Sequence, residues 1–280
     1  MYASIVGVEG SGRTVFASLL YAAQIGYSQE KKSGFRFSSN PRTQSLMGEG
    51  YNMIRGGMWP ESKFSEKVSF LLSYQSMDVG SRMKRMFIKE KEKPKFSIQF
   101  NIFDLPDTDL GGSRHQAASG DGLDILYRSD VLIILLDSSR FKDGKDVDSS
   151  LGSLVERIKR GKGERLKPVI VFTKWDNVDE KGLKKLKLST EPPGINDTQG
   201  RSRYGRKILA KFYPKLGNII SNLETRYIFI HIEVEKDEWG EKVPKASIDI
   251  DNELFYSYDE IRGMLRYLGD IGKLDNKKGR

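Results

Sequence analysis

The sequence predicts an α/β protein in three layers, a mostly parallel six-stranded sheet with one antiparallel strand and helices on both faces. Three observations carry this. Short apolar runs alternate with segments of helical period along the chain, which is the pattern of strand–helix–strand units. Val131 to Leu136 is continuously apolar, as a strand covered on both faces must be. Phe96, Ile98, Phe100 and Ile102 alternate with Ser97, Gln99 and Asn101, the period of a strand.

Each element follows from its residues. Tyr2 to Val6 reads as a short buried strand, Gly7 to Gly12 as a glycine-rich loop, and Arg13 to Ile25 as an apolar helix stopped by Gly26. Residues 27–63 are polar and irregular. They hold one helix, with Asn40 as N-cap, Pro41 at its first position and Gly56-Gly57 at its end. Lys63 to Tyr74 is rich in Phe, Val and Leu. It precedes Phe96 to Ile102 with no helix between, so the two strands pair antiparallel, joined by the charged stretch Lys89 to Lys95.

After the strand at Val131, Leu151, Leu154, Val155 and Ile158 recur at helical spacing. Val169 to Phe172 is a further buried strand. Ile208, Leu209 and Phe212 mark a helix, which Pro214 separates from Ile219, Ile220 and Leu223. Tyr227 to Ile232 is the sixth strand. A polar excursion over 233–255 turns around Trp239-Gly240, and Tyr258 to Leu268 is a closing helix. One domain spans 1–270, and 271–280 is expected to fray.

Composition excludes several classes of function. Among 280 residues there is no Cys, hence no disulfide framework, no Cys-ligated zinc and no thiol nucleophile. Two His, more than a hundred residues apart, do not make a His-rich metal site. No apolar run approaches the about 20 residues of a membrane-spanning helix. A basic n-region and apolar h-region are absent from the start of the chain, so the expected compartment is the cytoplasm. The net charge of +9 has two readings, a polyanionic partner or a solvated lysine-rich surface. The basic residues are spread and interrupted by Glu, which favours the second and leaves weak association with anionic surfaces.

Three motifs carry chemistry. Gly7-Val8-Glu9-Gly10-Ser11-Gly12-Arg13-Thr14 departs at one position from the phosphate-binding pattern G-x-x-x-x-G-K-[ST]. Glycines let successive backbone N–H groups turn inward around an anion, and the following helix directs its positive end there. Arg13 stands where lysine is the rule; its guanidinium keeps the charge but is planar and forked. Glu9 places a carboxylate near the same anion. The plain alternative is a strand-to-helix turn that needs glycine.

The second motif is Asp104-Leu-Pro-Asp107, at the carboxyl end of the strand from Phe96, where a phosphate-loop protein wants a carboxylate for Mg²⁺. Equally, Asp104 could be a turn acid ending a strand. The third is Thr173-Lys174-Trp175-Asp176, directly after a buried strand. It fits the pattern [NT]-K-x-D, in which the carboxylate accepts two hydrogen bonds from guanine N1–H and its 2-amino group. Adenine offers neither donor and would leave that carboxylate unpaired.

In this order, each after a strand, the three motifs resemble the Ras-like GTPases of the translation-factor-related class of P-loop proteins, over about residues 2–235. The resemblance implies a P-loop NTPase fold, binding of GTP and GDP with Mg²⁺, and two switch segments that reorganise on hydrolysis. It implies that Glu9, Gly10, Ser11, Gly12, Arg13 and Thr14 surround the phosphates, with Arg13 in a catalytic position as well. Lys174 and Asp176 would read guanine. Thr14 and Asp104 would hold Mg²⁺, with Ser62 as the switch I ligand and Ser65 as its substitute.

Where the family places D-x-x-G and then a water-orienting Gln or His, this chain has Asp107 and Thr108; His115 and Gln116, later in the segment, are the substitutes. The S-A-K signature of the family is not visible near His231 to Lys236. The resemblance thus implies a slow GTPase switch with an effector or regulator protein. A hydrolysis-deficient nucleotide-binding scaffold is the second reading, and a structural protein that binds no nucleotide is the third.

Overall fold

The computed structural model describes residues 1–29, 35–60, 68–74, 96–105, 126–246 and 257–278. The expected architecture is present: a mostly parallel sheet with helices on both faces. The sheet has seven strands in the order β2-β3-β4-β1-β5-β6-β7. Its centre is β1 (Tyr2–Val8), flanked in parallel register by β4 (Phe96–Leu105) and β5 (Val131–Asp137). Beyond β5 lie β6 (Lys167–Thr173) and β7 (Arg226–Phe229), both parallel.

On the other side β3 (Val68–Tyr74) runs antiparallel to β4, as the sequence predicts, and β2 (Phe35–Ser39) runs antiparallel to β3. The expectation of six strands is therefore corrected to seven, still with one strand opposed to the rest. The added strand β2 has an alternating Phe35-Arg-Phe37-Ser pattern inside a polar surrounding, too short to read unaided. Pairing with β3 supplies the missing stabilisation.

Helix α1 (Arg13–Gln29) runs through Gly26 rather than stopping there. A glycine in an otherwise apolar helix costs about 1 kcal/mol, which packing overrides. Helix α2 (Pro41–Arg55) has the expected ends: Asn40 Oδ1 accepts from Thr43 N–H at 2.7 Å, and Gly56 is the C-cap. Helix α3 (Gly144–Lys162) buries Leu151, Leu154, Val155 and Ile158. A short α4 (Glu180–Lys185) lies in a stretch that reads only as a basic cluster.

Pro214 divides α5 (Thr198–Phe212) from α6 (Pro214–Ile220), as expected of a residue with no N–H to donate. After β7, the polar excursion forms a hairpin of β8 (Val234–Lys236) and β9 (Lys242–Pro244). Helix α7 (Tyr258–Lys278) continues to Lys278, past the point where fraying was expected.

Alternation along the central strands divides the core in two. Ile5, Ile133 and Leu135 face α1, α2 and α7, whereas Val6, Leu132, Ile134 and Leu136 face α3, α5 and α6. Burial on both faces explains the continuous apolar run in β5. Each fully buried side chain of this kind stabilises the fold by about 1.5–3 kcal/mol.

The sheet ends at β7, and a side-chain ion pair covers its outer edge. Arg201 Nη1 donates to the Tyr227 carbonyl at 3.2 Å, and Phe229 N–H donates to Glu260 Oε2 at 3.3 Å. Arg201 and Glu260 are themselves joined by two parallel hydrogen bonds, one of 2.7 Å. The pair occupies the place of another strand and satisfies backbone groups that would otherwise invite one.

Candidate functional site

The site lies at the carboxyl ends of β1, β5, β6 and β7, where the loops of a parallel sheet gather. The loop after β1 is shaped by glycine. Gly10 and Gly12 have φ of 76° and 82°, a region that side chains with Cβ avoid. Ser11 N–H donates to the Val8 carbonyl at 3.1 Å, closing the turn. Gly7 is required for a different reason. A Cβ there would lie 2.3 Å from Ser11 Oγ, so the loop folds its serine onto the strand it leaves. Ser11 Oγ is fully enclosed and makes no hydrogen bond.

The first turn of α1 follows at Arg13. Its N–H groups have no carbonyl one turn earlier to bond, so they face the loop with the positive end of the helix behind them. Thr14 is on this turn, and its carbonyl accepts from Ser18 Oγ at 2.9 Å. Arg13 is 8% exposed and makes its contacts within the protein.

Thr173, the last residue of β6, ties the third motif to the first. Its hydroxyl lies 2.9 Å from the Ser11 carbonyl and 3.2 Å from the Leu136 carbonyl. Lys174 then takes a left-handed conformation, φ 53° and ψ 40°, unusual for a residue with a side chain. That reversal turns the chain so that Trp175 is buried, while Asp176 stays exposed on one side and directs its carboxylate at the chain after β7. Trp175 N–H donates to the Ile230 carbonyl at 3.0 Å, and Ile232 N–H lies 3.4 Å from Asp176 Oδ1. The segment after β7 is thereby bound to the Lys174–Asp176 turn.

Lys174 Nζ pairs with Asp137 Oδ2 at 2.7 Å. Asp137 ends β5, and its other oxygen accepts from Ser139 N–H at 2.9 Å. The carboxylate thus fixes the lysine on one side and the turn after β5 on the other. Desolvation pushes the Asp176 carboxyl above the ordinary carboxylate range. Backbone N–H groups of Asp176 and Ile232, and the charges of His231 and Lys242, partly offset it.

These groups enclose a cavity of about 390 Å³. Gly12, Lys174 and Asp176 line it, with Val15 and Phe16 of α1 and the backbone run Ile230 to Ile232 opposite. Two residues without a sequence motif complete it, Trp59 and Lys242. The Trp59 indole N–H donates to the Lys242 carbonyl at 2.8 Å, and the Lys242 ammonium bonds to Asn177 Oδ1. The chain after α2 and the β8–β9 hairpin therefore meet over the cavity mouth.

Sequence reasoning placed Gly12, Lys174 and Asp176 in one site, and the fold brings them together. Glu9 instead borders a separate recess of about 250 Å³, with Asp137, Arg140 and Tyr213. The backbone of Asp104 lies beside Gly7 in the β1–β4 register. Ser62, Ser65, Asp107, Thr108, His115 and Gln116 fall outside the described residues. Sequence reasoning missed Asp137, although an acid at the end of a fully apolar strand is a visible signal. It also missed Trp59 and Lys242, and nothing in their spacing announces that contact. Among the described residues, no group of three or more His, Asp or Glu could hold a metal ion by itself. No helix among them is long and apolar enough to cross a membrane.

No family model and no curated protein matches the chain. Among solved structures, the signal recognition particle receptor SRb-GTP/SRX complex from Chaetomium thermophilum is similar at 14% identity, with a TM-score of 0.36. The match covers 82% of this chain and 89% of that one.

Proposed function

We propose that the protein binds a guanine nucleotide with Mg²⁺ and acts as a slow GTPase switch. The observation that carries this is the cavity in which Asp176, Lys174 and the loop glycine Gly12 meet at the amino end of α1. An acid held by the Ile232 N–H, beside a lysine and a glycine loop, suits a guanine base joined to an anion. The positive-φ glycine loop suits a polyphosphate, since backbone amides need no charged side chain to attract it.

In this reading Asp176 accepts from guanine N1–H and the 2-amino group, and the Lys174 stem lies along the base. Trp59 and Ile230 to Ile232 wall the base from solvent. Backbone N–H groups of Gly10, Gly12, Arg13 and Thr14 hold the phosphates, that of Ser11 being engaged by the Val8 carbonyl. Thr14, Asp104 and Ser62 or Ser65 would hold Mg²⁺, which would supply positive charge to offset that of the phosphates. Hydrolysis is in-line attack of water on the γ-phosphorus, breaking its bond to the β–γ bridging oxygen and releasing phosphate. His115 or Gln116 orients that water. An effector or regulator protein would read the two nucleotide states.

A second reading has one observation in its favour. Arg13 is 8% exposed and does not line the cavity. A guanidinium held inside the protein gives the transferred phosphate little charge, which favours a nucleotide-binding scaffold with little hydrolysis. Equilibrium titration with GTP, GDP and ATP tests the common part. Preference for the guanine nucleotides is expected, and equal affinity for ATP overturns it. Single-turnover hydrolysis separates the two readings: slow release of phosphate supports the switch, and an intact γ-phosphate after hours supports the scaffold.

A further inference from the structure

The β8–β9 hairpin ends in an exposed turn closed by four hydrogen bonds between Asp237 and Trp239 to Glu241. Asp237 Oδ1 accepts from Trp239 N–H at 2.9 Å and from Glu241 N–H at 2.8 Å. Asp237 N–H donates to the Glu241 carbonyl, and Gly240, at φ 82°, donates to the Asp237 carbonyl. What this turn displays is Trp239, 81% exposed, the most open of the large apolar side chains among the described residues. A tryptophan whose backbone is already held in a tight turn loses little backbone entropy on docking, and tryptophan is enriched among residues that dominate interfaces.

Charge says what it docks against. Glu235, Asp237, Glu238 and Glu241 surround the tip, against Lys236 and its cross-strand neighbour Lys242, whose ammonium is bonded to Asn177, so the tip is net acidic on a chain of net charge +9. An anionic surface would repel this tip; a cationic cleft with apolar walls would accept it.

The same chain has such a cleft. A groove of about 740 Å³ runs between α5, β7 and α7. Arg206, Arg226, Arg262 and Arg266 line it, against Asp259 and Asp270, while the further acid at its wall, Glu224, is paired with Lys167 at 2.8 Å. Ile195 adds apolar surface, Ile228 and Met264 at the same wall being buried, and the Arg226 guanidinium lies 4.7 Å over the Tyr267 ring. An aromatic ring under a guanidinium is the kind of wall on which an indole packs.

We propose that the hairpin tip of one molecule inserts Trp239 into the arginine-lined groove of a second copy. The two surfaces are different, so the contact is head-to-tail and leaves one of each free at the ends. Its small area places it among weak, salt-sensitive associations. The inference is independent of nucleotide binding.

Sedimentation velocity on the purified full chain tests it, over a concentration series at low and raised salt. The wild type is expected to associate as concentration rises and to dissociate with salt. Trp239→Ala and Arg266→Glu, each checked for folding by circular dichroism, are each expected to weaken self-association about tenfold or more. Mixing the two variants is the decisive arm. One contributes an intact groove and the other an intact tip, so the mixture should give a dimer and nothing larger. A wild type that stays monomeric throughout overturns the proposal and leaves the tip to a foreign basic protein. So does association that survives Trp239→Ala, or a mixture no more associated than either variant alone.

Discussion

Thr173 lies against Ser11, its hydroxyl 2.9 Å from the Ser11 carbonyl across 162 positions of sequence. This bond joins the loop after β6 to the loop after β1. Neither loop is positioned by its own residues alone. Thr173→Val keeps the shape and removes the donor, leaving the buried Ser11 and Leu136 carbonyls with one partner fewer. Chemical denaturation should show a loss of about 1–3 kcal/mol. GTP titration should show weaker binding, because the glycine loop loses its tether.

Gly7 and Ser11 form a second pair with a sharper signature. A Cβ at Gly7 meets Ser11 Oγ at 2.3 Å, so Gly7→Ala should destabilise by about 1–3 kcal/mol through overpacking. The Ser11 hydroxyl has no hydrogen-bond partner, so Ser11→Ala should be neutral or stabilising. Combining the two should recover part of the loss, since Leu135 Cβ, 3.1 Å from the added methyl, still resists it. Thermal melts of the three variants measure this, and an additive double variant would contradict it.

Lys174 pairs with Asp137 at 2.7 Å but is 41% exposed, so solvent screens the interaction. Lys174→Ala should cost less than about 1 kcal/mol of stability. Its effect on GTP affinity should be far larger, about tenfold or more, because the side chain lines the cavity. Calorimetry of folding and of binding on the same variant separates the two.

Asp176 gives a pH dependence whose sign is fixed. Its folded-state pKa is raised, chiefly by desolvation. Its stabilising contribution is therefore present below the unfolded pKa and lost as pH rises through the folded one. Guanine binding runs the other way, because only the carboxylate accepts two donors. GTP affinity should fall on acidification at a higher pH than an ordinary carboxylate would give. Asp176→Asn should remove that step and shift preference toward xanthosine triphosphate, whose 2-oxo group accepts from the new amide.

Arg201 and Glu260 have side-chain exposures of 7% and 14%. Glu260→Gln leaves a guanidinium with a weaker partner and disturbs the Phe229 N–H. A loss of up to about 3–5 kcal/mol is expected, the range for breaking a buried pair, read as a lower denaturation midpoint. Replacing both residues with leucine should cost less than the single change, since no charge is then left buried.

The parts of the fold governed by local rules are legible in the residues alone. Asn40, Pro41 and Gly56 set the limits of α2, because capping and proline geometry act within a few residues. The apolar run at Val131 declared a strand buried on both faces. Pro214 separated α5 from α6. Gly7 to Thr14 and Thr173 to Asp176 announced two loops of one site, since backbone chemistry dictated their residue types.

What depended on distant partners was settled by packing and long-range contacts. Strand β2 exists because β3 lies beside it, and α1 runs through Gly26 because its apolar face is packed. Lys174 meets Asp137, and Trp59 meets Lys242, across separations that no period encodes. Glu9 turned to another recess, although it sits inside the motif. Local propensity is a matter of a few tenths of a kcal/mol per residue, whereas burial and long-range hydrogen bonds are several times larger. Where the two disagreed, burial fixed the outcome.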